Sequence, residues 1–182
     1  MALRWWPVWA LIGLVGCNAI ELDEVNPPGV DFSGAWILDQ ANSDLTPDFT
    51  AGLDGRKRPR RANDQVARQR LDILGATGSD FAFISHDFEV LGATRLVIEQ
   101  NHDSMGIAHE PGVYRDVSWG ERQRGLWEVY AGWEENDLLI LSKAKDMSVQ
   151  ERYRVTDRRL SVEITIRADS AERTLRRVYI RR

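Results

Sequence analysis

The sequence predicts a mainly β protein: an antiparallel meander of about eight or nine short strands, closed into a barrel and interrupted by a helical insertion after the first strand. Three observations lead there. Leu160, Val162, Ile164 and Ile166 alternate with Ser161, Glu163, Thr165 and Arg167, the period of two expected of a strand with one buried face. Trp127, Val129, Ala131 and Trp133 form a second such row, opposed by Glu128, Tyr130, Gly132 and Glu134. From Thr94 to the C-terminus, turn-forming clusters punctuate the chain at close spacing: Asn101-His102-Asp103, Pro111-Gly112, Glu135-Asn136-Asp137, Asp157-Arg158 and Ala168-Asp169-Ser170.

In chain order, Phe32 to Leu38 is the first strand, followed by an irregular stretch from Asp39 to Gly55. A basic block, Arg56-Lys57-Arg58-Pro59-Arg60-Arg61, comes next. Between Ala62 and Gly75, Ala67, Leu71 and Leu74 share one helical face. The segment after Ser79 or Asp80 places Phe81, Ile84, Phe88 and Leu91 at helical spacing up to Gly92, while Phe81 and Phe83 also alternate, so helix and strand both stay open for residues 79–92. The strands expected after it are Arg95 to Gln100, Ser104 to His109, Val113 to Trp119, the row from Trp127, Asp137 to Lys143, Met147 to Val155, the row from Leu160, and Arg173 to Arg181. Closing such a meander removes the exposed edges that invite aggregation.

A chain of 182 residues forms one domain able to bury its own core. Its net charge of −4 argues against a dedicated nucleic-acid binder. Cys17 is the only cysteine, so no intramolecular disulfide is available.

At the N-terminus, Arg4 precedes an uncharged apolar run from Trp5 to Gly16. That run is shorter than the roughly 20 residues a spanning helix takes, and residues 1–16 read as a signal peptide. Leu14-Val15-Gly16-Cys17 resembles the lipobox of bacterial lipoproteins. The resemblance implies cleavage before Cys17 and acyl chains on its thiol, hence a membrane anchor in the cell envelope. Asn18 is not the aspartate that favours retention in the inner membrane of enteric bacteria, which points to the outer membrane, facing the periplasm. Residues 17–31, with Glu21, Asp23, Glu24 and Pro27-Pro28-Gly29, read as the lipidated cysteine and a flexible tether; residues 32–182 are the barrel domain, its insertion spanning about 46–92.

The opening of that domain, with Gly34 and Trp36 in Phe32-Ser33-Gly34-Ala35-Trp36, then Asp39 and Ser43, resembles lipocalin-like envelope proteins, whose first strand carries Gly-x-Trp. The ending, Arg159-Leu160-Ser161-Val162 leading to Val178-Tyr179-Ile180-Arg181, is similar too. In that family a basic side chain of the last strand packs across the first-strand tryptophan; here Arg177 and Arg181 both qualify.

The chemistry read from the residues is sparse. His86, His102 and His109 each precede an acid, but neighbours on a strand point apart, so no pairing follows, and no metal-ligand spacing or cofactor fingerprint is present. Glu151 shares a strand face with Val149, Tyr153 and Val155; it is either a polar contact for a ligand or the partner of an internal arginine. Trp119, Trp127 and Trp133 either line a cavity or fill the core. The basic block and the Arg176-Arg177 and Arg181-Arg182 pairs are either contacts for membrane phosphates or solvated surface.

Two functions follow as expectations. The first is binding, without catalysis or cofactor, of a small apolar or amphipathic ligand at Trp127, Val129, Trp133, Glu151 and Tyr153. The second is an envelope structural or assembly role, in which residues 46–92 dock a protein partner.

Overall fold

The computed structural model describes residues 21–46, 84–168 and 171–182. Within them lies one antiparallel sheet of ten strands: β1 (Gly34–Leu38), β2 (Arg95–Gln100), β3 (Ser104–Glu110), β4 (Tyr114–Ser118), β5 (Gly120–Arg124), β6 (Trp127–Glu134), β7 (Asp137–Ala144), β8 (Met147–Thr156), β9 (Arg159–Ala168) and β10 (Ala171–Arg181). Their lateral order is β4-β3-β2-β1-β10-β9-β8-β7-β6-β5. The first and last strands pair, with Trp36 opposite Arg181 and Leu38 opposite Tyr179, and the sheet curls into a nearly closed barrel. It stays open at one seam. β4 and β5, joined through Trp119, occupy the two lateral ends of the sheet and do not pair with each other.

The alternating rows form strands because each can turn one face inward. Leu160, Val162, Ile164 and Ile166 of β9 are fully buried, while Glu163 and Arg167 face water. The row on β6 behaves alike, except that outward-facing Gly132 is also covered. Leu22 and Asp23 lie directly upon it, and a Cβ there would stand 2.6 Å from the Leu22 Cβ and 2.8 Å from the Asp23 carbonyl oxygen.

The sequence expectation of eight or nine strands misses β5. Gly-Glu-Arg-Gln-Arg shows no alternation because an edge strand of one hairpin needs only its ladder to β6, and its side chains are largely solvated. Residues 84–87 are helical and continue into a 3-10 turn at Glu89–Leu91, so the segment before β2 takes the helical alternative. Ile84, Phe88 and Leu91 there are buried on one side, as their spacing requires. Cys17, the basic block and the helix read over Ala62 to Gly75 lie outside the described residues.

The expected tether is a second correction. From Leu22 onward it is strapped across the barrel end where β2 meets β3. Asp23 and Trp133 exchange backbone hydrogen bonds of 2.9 and 2.7 Å, adding a one-residue bridge beside β6 where β5 has ended. Asn26 donates to the Asn101 carbonyl and accepts from the Trp119 indole N–H. Polar residues with unspent backbone donors can complete an open ladder; composition alone does not say whether they will.

The strap delivers Phe32 as a plug. Its ring stacks on Trp133 (centroids 5.7 Å apart, planes at 10°) and meets Tyr153 edge-on at 6.4 Å. Trp36 donates its indole N–H to the Phe32 carbonyl at 2.8 Å, and the Arg181 guanidinium lies 4.6 Å above the Trp36 ring. Of the two arginines, therefore, Arg181 covers the first-strand tryptophan. Arg177 instead bonds the carbonyls of Asp44 and Ala93 and the hydroxyl of Thr46, tying β10 to both sides of the insertion. Each buried aromatic removes roughly 150–250 Å² from water, so this end carries a large share of the hydrophobic driving force.

Candidate functional site

The barrel interior is filled by side chains: Leu96, Ile98, Met105, Ile107, Ile140, Val162 and Ile164 are at most 1% exposed. Trp127, Val129 and Trp133, expected as the wall of a cavity or as core, are 2%, 8% and 2% exposed and pack against their neighbours. Trp133 belongs to the aromatic plug with Phe32 and Trp119. Trp127 stands at the opposite end, beside the seam, with Phe88 edge-on at 5.0 Å.

At that seam the wall is made by side chains in place of a ladder. Phe88, carried in by the helical segment, lies between the guanidinium groups of Arg115 and Arg124, which stand 5.7 and 5.3 Å from its ring centroid. Asp87 fastens the segment to β5 and β6, its carboxylate accepting from the Trp127 indole at 2.8 Å and its carbonyl from Arg124 at 3.2 Å. Outside Phe88 the surface forms a cleft of about 520 Å³, lined by His86, Glu89, Val113, Tyr114, Arg115, Arg124, Leu126 and Trp127. Val113, Tyr114 and Leu126 leave 61%, 61% and 69% of their surface in water, an apolar rim around a charged floor. A larger groove of about 640 Å³ runs over the outer face of β6 to β9. Glu121, Glu128, Lys143, Gln150 and Arg167 lie along it beside Tyr130, Leu141 and Val149, on an unbroken part of the sheet, whereas the seam cleft opens onto the break between β4 and β5.

Behind the cleft sits a buried ionic network. Arg115 donates to Glu151 Oε1 at 2.6 Å, and the Tyr153 hydroxyl donates to Oε2 at 2.8 Å. Both members of the ion pair are almost wholly inside, at 5% and 0% side-chain exposure. Glu151 therefore has the internal arginine partner that the sequence left as one of two readings. Burial alone would lower the Arg115 pKa, but the adjacent Glu151 charge and hydrogen bond reverse this and hold it above the usual guanidinium range. Burial, reinforced by the Glu151 charge, pushes the Tyr153 phenol well up, so it remains a donor. Arg124 moves down, first through burial and then through repulsion from Arg115. Such a pair is costly to desolvate and seldom outperforms an apolar core, so it is weak evidence of stabilisation.

His109 also belongs here, buried on β3 at 3% exposure, its Nδ1 3.2 Å from the Val113 carbonyl. Burial holds its pKa below the ordinary imidazole value against the opposing pull of that hydrogen bond. As a strand residue it points away from Glu110, which pairs outward with Arg95. His86 and His102 differ from the expectation for strand neighbours. They lie in a helical turn and a hairpin loop, and each reaches its adjacent aspartate, at 3.4 and 3.7 Å, on the exposed surface.

The structure thus places Trp127 beside the seam and Glu151 with Arg115 behind the cleft, and sends Trp133, with Gly34, Trp36 and Arg181, to the other end; Tyr153 lies between, its hydroxyl on Glu151 and its ring against Phe32. Arg115 and Arg124 were not singled out from the sequence, while His109 was weighed there only beside its acidic neighbour and Phe88 only as an apolar helical position. The signal for Arg115 was present: Val113, Arg115 and Val117 share one strand face, a charge within an apolar row.

No family model and no curated protein sequence matches the chain. Among solved structures, human cRBP IV superposes with a TM-score of 0.50 at 18% identity, covering 84% of this chain and 98% of its own. The wild-type fluorescent protein UnaG gives 0.49 at 18% identity, covering 83% and 97%. At these identities the likeness to the first speaks for the fold, a nearly closed antiparallel β-barrel.

Proposed function

We propose that this protein is a lipid-anchored binding protein of the bacterial cell envelope, held by acyl chains on Cys17, that takes a small apolar or amphipathic ligand at the β4–β5 seam. The observation that carries the binding half is the cleft. Among the described residues it lies at the one place where the sheet can part without breaking a β-ladder, its volume falls within the range of small-molecule sites, and it combines an apolar rim with a charged floor that includes Asp87, Glu89, Asp116, Arg115 and Arg124. The fold supports the reading because such barrels can enclose ligands. Since the interior is filled, a ligand reaching deeper displaces Phe88, which among the described residues no β-ladder holds in the wall. The lipobox carries the anchoring half, and the Asn18 position favours the outer membrane. The protein acts by binding, and no catalytic step is assigned to it.

The binding half is tested with the apolar dye N-phenyl-1-naphthylamine. Saturable one-to-one fluorescence enhancement is expected, weakened at least about fivefold by Leu126→Glu and Val113→Asp, whose exposed positions spare the fold. Dye uptake that never saturates, or that both variants retain in full, overturns it. The anchoring half is tested by mass spectrometry of protein extracted from its own membrane: an acylated Cys17 at the N-terminus is expected, and a mature chain still beginning at Met1 without acyl mass overturns it.

A further inference from the structure

Two of the most deeply buried polar side chains beside the seam each keep one atom without a partner. They are Nε2 of His109 and Nη2 of Arg115, on residues 3% and 6% exposed. Their other atoms fix what each requires. The Val113 carbonyl can only accept, so the His109 Nδ1 beside it carries the proton, and Nε2 is left as a lone-pair acceptor. The Arg115 nitrogen can only donate. Glu151 meets neither demand: its oxygens accept from Arg115 Nη1 and from Tyr153 but leave Nη2 unpaired, and a carboxylate has no proton to give the His109 Nε2.

The sheet register makes these two demands neighbours. Ile107 stands opposite Arg115 and Ala108 opposite Tyr114, so His109 is the diagonal partner of Arg115 on the inner face. Diagonal pairs are about 7–8 Å apart at the backbone, a span that a histidine and an arginine close together. A single polar group entering between them has to accept from Arg115 and donate to His109. A hydroxyl does both, a carboxylate cannot donate, and an ammonium cannot accept. Leaving a buried donor or acceptor unmatched costs about 1–3 kcal/mol, so the pair discriminates between such head groups. Burial also keeps the imidazole neutral near pH 7, preserving its acceptor role.

We propose that His109 and Arg115 form a head-group site for a ligand bearing an alcohol hydroxyl, whose apolar body lies in the seam cleft against Val113, Leu126 and Trp127. This deepens the binding reading above and rests on it.

The test is calorimetric titration of the mature protein with 1-decanol, decanoate and decyltrimethylammonium, which share a chain and differ in head group. Decanol is expected to bind at least about tenfold more tightly than the other two. His109→Phe, which keeps a ring but removes the acceptor, is expected to abolish that preference. Equal binding of all three probes, or undiminished preference for decanol in His109→Phe, overturns the head-group site and leaves seam binding standing; failure of every probe to bind overturns both. Should His109→Phe not fold, nitrogen-15 NMR of the wild-type imidazole decides: decanol is expected to shift the Nε2 resonance, and an unmoved resonance at saturation overturns the proposal.

Discussion

At the end of the barrel where the strap docks, Phe32, Trp36, Trp119 and Trp133 fill the space and Arg181 covers Trp36. Toward the seam, Arg115, Glu151, Tyr153 and His109 occupy positions of similar depth. Both regions are dry, but they differ in the backbone around them. The aromatic end is laced by β1 to β10, by β2 and by the Asp23 bridge, so apolar filling is enough to hold it. The seam has no ladder between β4 and β5 and keeps charges that burial makes expensive. One end is closed by ladders and apolar filling, and the other is an unpaired edge supplied with polar groups.

Breaking the ion pair gives the largest expected effect. Arg115→Met alone leaves Glu151 charged in an apolar interior and is expected to cost about 3–5 kcal/mol in urea unfolding. The double variant Arg115→Met with Glu151→Leu is expected to recover most of that, because two apolar residues replace two paired charges. If the double variant is as unstable as the single one, the network is a structural requirement and the contrast between the two regions fails.

A smaller effect is expected at the strap. Gly132→Ala drives a methyl group into Leu22 and the Asp23 carbonyl and is expected to cost about 1–3 kcal/mol, as overpacking does. Hydrogen exchange should then speed up at the Asp23 and Trp133 amides while protection at β8 and β9 is unchanged. Exchange that accelerates uniformly would show that the strap is no separate unit.

The smallest effect is pH-linked. Because burial depresses the His109 pKa in the folded protein, the unfolded chain takes up the proton first. Stability from a neutral His109 is complete above the unfolded value of about 6.5 and is lost as pH falls through the folded value, with a slope of at most about 1.4 kcal/mol per pH unit. His109→Phe is expected to flatten the unfolding profile in that window; an unchanged slope would mean that His109 is not the linked group.

Some of this was legible before any coordinates. The rows on β6 and β9 announced their inner faces because alternation is local, and Glu151 stood out as a charge within such a row. The same logic applied to Arg115, but its importance emerges only when Glu151, thirty-six positions away, is placed against it. β5 was hidden by its polar faces, and the strap by a composition that reads as linker. Residues 79–92 fitted both periods, and within the described part, from Ile84 onward, the burial of Ile84, Phe88 and Leu91 shows which one the neighbours reward.

By itself, then, the sequence determined the barrel class and which side chains of the clearest strands turn inward, and it offered the lipobox resemblance on which the proposed anchor rests, since each depends on residues a few positions apart. The tertiary structure alone decided that Arg181 and not Arg177 covers Trp36, that residues 22–26 are strapped down, and that the sheet parts between β4 and β5. Those outcomes depend on register between strands distant along the chain, and no local period encodes which row of side chains will face which.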